Sequence, residues 1–549
     1  MAAALKPDLD HAFAMEEKAM DASVTFDGTG LDRDDQLLAR LGKKPVLRRR
    51  FGFLAIVGFT CTMLVTWEGS LILFTTGLTN GGSAGLVYGY LFVWVGTLCI
   101  FTTMAEMASI APTAGGQYHW VAMMAPASCR NFLSYITGWL VIAGWEAILA
   151  GGGYLTGTMI VAVIQLNHPS YVPQLWHGTL LFWATIAYAL FVNTLLGSTL
   201  PKIELVMLFL HVVGFFAILI PLVACAPEKA SAHDVFTQFL NGGAWPSQGL
   251  SFFIGLIGSV FAMFGCDATV HMSEEVNNAA VIVPWAMVST TLFNGAIGFG
   301  MILAVLFVTL NVDTALESPT GVLGYPFMDI FYTATNSKAG ANVMIAIVLV
   351  MSGAGSIAAM ATASRIVWAF ARDRGLPGWR TVTKLRSKTA IPMLSVIFTA
   401  IVTVLIGLIN LGSSTAFNAV ISLSVSGLYG SYIIVEVLML YHRCTGRIRS
   451  AHDSANRLYE GDHLIWGPFH VPGIFGIAVN VCAVMFGIII FFFSFWPVAT
   501  PVSAPKMNYS ILMTGSVVLF AVFYYVVWAR KTFKGPIVEI SSIPTGVKS

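Results

Sequence analysis

Residues 65–74 read VTWEGSLILF, a stretch in which Glu68 and Gly69 interrupt a long apolar run. The sequence around these two residues is typical of a helix that crosses a membrane. A charged side chain is costly at membrane depth, and a helix broken there must line a cavity or be buried in protein. The stretch therefore predicts an interrupted spanning helix with Glu68 as a candidate functional residue. A hydrogen-bonded structural carboxyl is the alternative.

The composition of the whole chain indicates a membrane protein. Of 549 residues, 56% are hydrophobic and 10% are charged, and the mean hydropathy is +0.78. Soluble domains carry about 25% charged residues. Twelve apolar stretches are long enough to cross a bilayer, at about 51–78, 84–108, 132–165, 179–200, 202–225, 248–273, 284–310, 342–370, 391–410, 413–441, 470–495 and 509–529. The sequence therefore predicts an all-α polytopic membrane protein with twelve transmembrane helices.

The positive charges predict the orientation of the chain. With the N-terminus in the cytosol, the cytosolic segments hold 26 of the 29 Lys and Arg residues, and only Lys229, Lys338 and Lys506 lie outside. Such an excess is typical of cytosolic loops. We therefore predict cytosolic termini, with a disordered polar tail at 1–50 and a C-terminal tail at 530–549. The plasma membrane is the predicted location.

A second interruption lies in the sixth stretch, where residues 259–276 read SVFAMFGCDATVHMSEEV. Gly265 and Asp267 again combine a glycine with an acid at membrane depth, and Asp267 either contributes to a site or caps the second half-helix. Five spans separate the two interruptions, as in an inverted five-plus-five repeat whose broken helices meet at the midplane. This pattern divides the chain into repeats at 51–225 and 245–441, followed by two extra helices within 470–529.

Three motifs carry a family resemblance. Residues 104–120 read MAEMASIAPTAGGQYHW, residues 363–379 read ASRIVWAFARDRGLPGW, and residues 264–276 read FGCDATVHMSEEV. Together with the basic run before the first span, they resemble the amino acid–polyamine–organocation transporter superfamily. The likeness is greatest to its fungal branch of GABA, choline and related amino acid permeases, and it covers roughly residues 45–530.

The resemblance implies a five-plus-five inverted repeat with two extra helices, in which substrate lies between the broken parts of the first and sixth helices. The matching positions are Thr66, Trp67, Glu68, Gly69, Ser70, Phe261, Phe264, Gly265 and Asp267. In proton-coupled relatives a lysine of the fifth span replaces a sodium ion, and the matching position here is His211. A histidine can carry the coupling proton, and a simply packed histidine is the alternative. By analogy, Ser352 and Ser356 would lie nearby.

The resemblance also raises a conflict at Glu68. In many amino acid carriers of the superfamily, amides after the first break bind the substrate carboxylate, and these would be the amides of Gly69, Ser70 and Leu71. An ionised Glu68 beside them would repel that carboxylate. Three solutions stay open: Glu68 is protonated, it occupies the amides itself and leaves a site for a cation, or it faces the distal amine of a zwitterion such as GABA.

For a cationic substrate, Trp67, Phe261 and Phe264 are candidates for an aromatic cage, because aromatic faces attract quaternary ammonium groups. Aromatic side chains at helical spacing are, however, more often core packing.

The resemblance implies a secondary active transporter that imports a small amino-group compound (GABA, a related amino acid or choline) by proton symport. It would be proton-coupled through His211 and Glu68, with the proton gradient as driving force. The seven scattered cysteines have neither metal nor disulfide spacing, so we expect no cofactor and no metal. No phosphate-binding glycine loop or nucleophile motif occurs, which disfavours an enzyme or an ATP-driven pump.

The expected partners are a small-molecule substrate and the lipid bilayer, with no nucleic acid. Two alternatives remain: a facilitative exchanger or exporter of amino acids or amines on an internal membrane, and a nutrient-sensing receptor with little flux.

Overall fold

Long helices account for most of the structure, a computed structural model that describes residues 32–412, 414–449, 459–460, 463–504 and 507–539, with the backbone alone at 414–421 and 459–460. The helices are α1 (Arg33–Arg40), α2 (Phe53–Leu64), α3 (Thr66–Ile72), α4 (Phe74–Ile110), α5 (Gln117–Met124), α6 (Arg130–Asn167), α7 (Leu175–Leu195), α8 (Leu200–Cys225), α9 (Ala232–Thr237), α10 (Gln248–Phe261), α11 (Ala268–His271), α12 (Ala279–Val308), α13 (Val312–Glu317), α14 (Pro319–Val322), α15 (Pro326–Thr335), α16 (Lys338–Arg372), α17 (Trp379–Val382), α18 (Met393–Gly412), α19 (Ser414–Cys444), α20 (Gly473–Phe493), α21 (Ser510–Tyr524) and α22 (Arg530–Thr532). A 3-10 turn spans Ser273–Glu275 and a π-helical turn spans Tyr525–Ala529.

Three short strands form one small sheet: β1 (Ile448–Arg449), β2 (Tyr459–Glu460) and β3 (His463–Ile465). Their order is β1-β3-β2, with β1 parallel and β2 antiparallel to β3. Leu464 is the partner of both Ile448 and Tyr459, which sets the register.

The apolar stretches of the sequence correspond to helices of membrane length. Within the described residues, eleven helices are long and apolar enough to cross a membrane. The sixth predicted stretch contains α10, an apolar helix of only 14 residues, because the chain is interrupted after it. The predicted all-α polytopic fold class is confirmed.

The first interruption is a single residue, Val65, which has left-handed backbone angles of φ 44° and ψ 44°. This conformation is strained for a β-branched residue. The helix resumes at once in α3, so Thr66–Ser70, which the sequence placed in an unwound stretch, are helical. One left-handed residue is enough to interrupt the helical hydrogen bonds between α2 and α3. The helix is therefore broken without unwinding of the turn that follows Val65.

The second interruption is centred on Gly265, whose φ of 91° favours glycine. Helix α10 ends at Phe261, and α11 begins at Ala268. Asp267 occupies the position before α11 but makes no capping hydrogen bond through its side chain. The capping interpretation of Asp267 is therefore wrong, and its carboxylate is engaged elsewhere.

The first interrupted helix is the most enclosed of the eleven membrane-length helices. In its most apolar window 78% of the residues are buried inside the protein, against 17% for the last such helix. Helix α2 packs against α8, α12 and α16, and α3 packs against α12. A helix enclosed by protein on most sides can carry polar side chains that lipid would not accommodate.

One end of the bundle carries a network of buried ion pairs, which we call the charged end. Lys43 pairs with Asp373, Arg372 with Glu274 at 2.6 Å, and Arg365 with Glu275 at 2.9 Å. Burial alone would raise the pKa of Asp373, but the charges of Lys43 and Arg372 and a hydrogen bond from the Ile537 amide outweigh burial and lower it.

The N-terminal segment 33–50 is part of this network. Helix α1 occupies Arg33–Arg40, Asp34 accepts hydrogen bonds from the Asn278 and Ala279 amides, and the Arg50 amide donates to the Glu275 carbonyl. The predicted disorder of the tail at 1–50 is therefore wrong for 33–50. The charges that suggested a solvated tail find partners on distant elements. Residues 1–31 lie outside the described residues.

Candidate functional site

A cavity lies where the two interrupted helices face each other. The volume of this cavity is about 600 Å³, including the space that is open to solvent. Val65 and Gly69 line it from the first helix, Phe261 and Phe264 from the sixth, and Gly152 from α6. Most of the remaining wall is apolar, with the hydroxyl residues Ser352 and Ser356 contributed by α16.

Five of the residues singled out from the sequence line this cavity: Gly69, Phe261, Phe264, Ser352 and Ser356. The Phe261 and Phe264 rings are in contact, with centroids 4.9 Å apart. Ser352 also shares a hydrogen bond with Thr156, at 2.7 Å between the hydroxyl oxygens. The cavity therefore combines two aromatic faces with hydroxyl groups, and none of the described residues that line it is charged.

The other candidates do not line the cavity in this conformation: Thr66, Trp67, Glu68, Ser70, His211, Gly265 and Asp267. Gly69 contributes no free amide, because its N–H donates to the Val65 carbonyl at 2.6 Å. Ser70 and Leu71 follow it inside α3, where N–H groups donate to carbonyls four residues earlier. The amides expected to bind a carboxylate are thus occupied by helical hydrogen bonds. The amides that lack an acceptor within the helix are those of its first turn, at Thr66, Trp67 and Glu68.

Glu68 and His211 form a buried pair next to the cavity. His211 Nδ1 lies 2.8 Å from Glu68 Oε1, and its Nε2 lies 3.2 Å from Asn294 Oδ1. Both Glu68 and His211 are fully buried. Trp67 packs on the pair, with ring centroids 5.9 Å from His211. The structure thus joins the first interrupted helix to α8 and α12 through two polar contacts that share the His211 ring.

The Glu68–His211–Asn294 triad accommodates two protonation states. With Asn294 presenting its oxygen, both ring nitrogens of His211 donate, and the ring is an imidazolium paired with the Glu68 carboxylate. With the amide turned over, its NH₂ donates to Nε2 of a neutral ring. A side-chain rotation of Asn294 therefore changes the group that faces Nε2 from an acceptor to a donor.

Asp267 lies in a separate polar cluster. Its Oδ1 accepts from the Tyr432 hydroxyl at 2.6 Å, and its Oδ2 accepts from Gln117 Nε2 at 2.6 Å and from Trp145 Nε1 at 3.2 Å. His271 Nε2 lies 3.4 Å from Oδ2. Sequence reasoning missed these partners. Gln117 and His271 occur in the quoted motifs, but no spacing rule connects them to Asp267.

Other intramembrane acids have local hydrogen-bond partners. Glu146 accepts from the Thr403 hydroxyl at 3.2 Å, and Glu436 accepts from Asn480 at 2.8 Å. Each of these two carboxyl groups thus accepts a hydrogen bond from a neighbouring helix.

Eleven helices of the described residues are long and apolar enough to cross a membrane, and two interrupted helices face each other across a cavity, an arrangement typical of secondary transporters. A family model described as "Amino acid permease" matches residues 51–517. The chain belongs to this amino acid permease family, within the amino acid–polyamine–organocation superfamily.

Known proteins resemble the chain over most of its length. The choline transporter of Saccharomyces cerevisiae is 30% identical over 491 residues, which cover 89% of this chain and 83% of the relative. The transmembrane transporter swnT of Metarhizium robertsii is 30% identical over 496 residues, which cover 89% of this chain and 92% of the relative. The amino-acid permease BAT1 of Arabidopsis thaliana is 28% identical over 528 residues, covering 93% and 98%.

Proposed function

We propose that the protein imports a small amino-group compound by proton symport, alternating access to the cavity between the two sides of the membrane. The observation that carries the proposal is the fully buried Glu68–His211 pair beside the cavity. A carboxylate and a histidine 2.8 Å apart in a protein interior can hold or release one proton. An intramembrane ionisable pair of this kind is typical of a proton pathway.

The pair also suggests an answer to the conflict at Glu68. Because His211 binds the Glu68 carboxylate, the negative charge is balanced when the ring is protonated, and Glu68 need not repel a substrate carboxylate. Glu68 is then a proton-coupling residue rather than a direct contact for the substrate amine.

The cavity wall suggests where substrate binds. We assign Phe261 and Phe264 to the ammonium group, since each aromatic face contributes about 0.5–2 kcal/mol to cation binding. Ser352 and Ser356 offer hydroxyls to a polar group, and Gly69 keeps the wall open because it has no side chain. Choline and GABA both fit this chemistry. The names of two relatives, a choline transporter and an amino-acid permease, support choline and the wider class of amino acids.

The first test is uptake of labelled choline and GABA at pH 5 and pH 7.5, in yeast cells that lack their own carriers for both. We expect one of the two to accumulate, and more at pH 5, because an inward proton gradient drives symport. Accumulation that does not depend on external pH, but requires substrate on the opposite side of the membrane, would instead establish an exchanger.

The second test separates coupling from binding. Glu68→Gln and His211→Gln should abolish pH-driven accumulation of the transported substrate, while exchange of labelled for unlabelled substrate continues. Glu436→Gln is the matched control, since Glu436 is equally buried but pairs with Asn480 rather than with a histidine. Unchanged pH-driven accumulation in both coupling variants, at equal surface expression, would refute the assignment.

For location, we propose the plasma membrane. We place both termini in the cytosol, because 26 of 29 Lys and Arg residues then lie on the cytosolic side. The charged end would face the cytosol. A protease site placed before α1 should be cut only in permeabilised cells, and cutting in intact cells would reverse the orientation.

A further inference from the structure

A second buried carboxylate–histidine pair lies outside the cavity, on the far half of the sixth interrupted helix. Asp267 and His271 stand four residues apart, and both side chains are fully buried. Thr269 between them is anchored to α2 by a 2.7 Å hydrogen bond to Thr60. The proton-coupling pair proposed above does not include these residues.

The hydrogen bonds of His271 determine where its protons are. Nδ1 lies 2.9 Å from the carbonyl oxygen of Ala114, which can only accept, so Nδ1 carries a hydrogen. Nε2 faces Asp267 Oδ2 at 3.4 Å and has no hydrogen-bond partner among the described residues. A neutral ring with its hydrogen on Nδ1 would place an unprotonated nitrogen 3.4 Å from a carboxylate oxygen, which is repulsive. A proton held between the two groups turns this contact into an ion pair.

The partners of Asp267 place this proton on the histidine. Gln117 and Trp145 donate to Oδ2, and the Tyr432 hydroxyl can donate to Oδ1. Three donors stabilise an ionised carboxylate. His271 is then an imidazolium whose counterion is Asp267.

The neighbouring charged groups have other partners. The groups on the surrounding elements are Glu274, Glu275, Arg365, Arg372 and Glu146. Arg365 pairs with Glu275, Arg372 pairs with Glu274, and Glu146 accepts from Thr403. The Tyr432 hydroxyl and the Cys266 thiol, which is adjacent to Asp267 in the chain, also lie next to the pair. Asp267 is thus the carboxylate that faces the ring.

One residue connects the pair to the charged end. The Ala114 carbonyl accepts from His271, and the Ala114 amide donates to Glu274 Oε1 at 3.1 Å. Glu274 in turn binds Arg372. A change in the position of His271 would therefore act, through Ala114, on the Glu274–Arg372 pair of the charged end.

We propose that His271 is a positioning residue that holds a buried proton, and that its ion pair with Asp267 keeps α11 closed against the segment 114–117. When α11 moves outward, the Nε2 proton passes to water and leaves a neutral ring. The proposal goes beyond the proposed function and rests on it only in taking movement of the sixth helix as part of transport. It adds a second proton-dependent step, separate from Glu68 and His211.

The first test is the melting temperature of the purified full-length protein in detergent between pH 5.5 and pH 8.5. If the folded protein holds an imidazolium at 271, it binds more protons than the unfolded chain as the pH rises, so this stabilisation fades with rising pH. The advantage of wild type over His271→Gln should be largest at pH 5.5 and shrink towards pH 8.5. A merely packed, neutral histidine gives the opposite trend.

His119→Gln is the matched control. His119 is a buried histidine on α5, and burial together with the charge of Lys43 lowers its pKa to about 3. It is neutral in the folded protein, so wild type should lose stability relative to His119→Gln as the pH falls. An advantage from His271 that also declines at low pH would overturn the proposal.

The second test measures opening itself, by hydrogen–deuterium exchange of the peptide containing residues 266–276. If opening releases one proton, exchange corrected for intrinsic chemistry accelerates by up to about tenfold per pH unit. In His271→Gln it should be fast and independent of pH after the same correction. Corrected exchange in wild type that does not change with pH would refute the gating role.

Should His271→Gln fail to fold, Asp267→Asn answers the same question. Without its counterion the ring is no longer held as an imidazolium, and the stability advantage of wild type over Asp267→Asn should again be largest at low pH. Neither measurement needs a substrate, so failure of choline and GABA uptake would not affect them. Conversely, pH-independent results for His271 would leave the Glu68–His211 assignment intact.

Discussion

At the scale of single residues, glycines determine how closely helix α16 approaches the first interruption. A Cβ atom at Gly355 would lie 2.8 Å from Val65 Cγ2 and 3.2 Å from the Thr62 carbonyl oxygen. Both contacts are too short, and Val65 is already strained by its left-handed backbone. Gly355 therefore permits the interruption to pack against α16.

Gly355→Ala should destabilise the protein by about 1–3 kcal/mol, the usual range for overpacking. Gly353→Ala is the matched control on the same helix, because a Cβ there meets nothing within 4 Å. We expect this control to be neutral or stabilising by up to about 1 kcal/mol, since alanine favours helix more than glycine does. Thermal unfolding in detergent checks both. Equal melting temperatures of the two variants would contradict the packing argument.

At the scale of elements, the two interruptions differ in their backbone chemistry. Val65 breaks the first helix by one strained residue, and the chain is helical again at Thr66. The sixth helix stays open from Ala262 to Asp267, around the positive φ of Gly265. The longer gap leaves six residues without helical structure between α10 and α11.

Gly265→Ala should cost about 1–3 kcal/mol of folding free energy, because alanine rarely adopts a φ of 91°. The added Cβ would also touch Trp145, at 3.4 Å. Gly249→Ala, on α10 with no atom within 4 Å, should leave the melting temperature unchanged. If Gly265→Ala is as stable as wild type, the positive φ is not required for this interruption.

At the scale of the whole molecule, the charged end joins segments that lie far apart in the chain. Lys43 and Asp373 are separated by 330 residues, and the Lys44 amide reaches Glu539, close to the end of the described chain. Both members of the Lys43–Asp373 pair are buried. Removing one partner of a buried pair leaves an uncompensated charge.

Lys43→Met should therefore destabilise the closed bundle by about 3–5 kcal/mol. Lys44→Met is the matched control: the Lys44 contact to Glu539 is made through its backbone, which the substitution retains. The pH dependence has a defined sign. Because the pKa of Asp373 is lowered, its stabilisation is present above about pH 4 and is lost as the pH falls below that.

The melting-temperature difference between wild type and Lys43→Met should thus be constant from pH 8 to pH 5 and shrink in stronger acid. A difference that grows in acid would mean that Asp373 is not the charge balanced by Lys43.

The sequence by itself determined the class of protein, the apolar stretches that became membrane-length helices, and which two helices are interrupted. These features are local: apolar length, and glycine next to an acid, are read within about 20 residues. It also singled out Glu68 and His211 separately, from a broken span and from family resemblance, before any contact between them was known.

Only the tertiary structure decided which partner each buried polar group has. Glu68 meets His211 across 143 residues, and Asp267 meets Gln117 and Tyr432 across 150 and 165 residues. No local pattern encodes such contacts, because they depend on how the helices pack. The same packing ordered the 33–50 segment and kept the α3 turn helical, since tertiary partners outweigh the local preference of a charged or glycine-containing stretch.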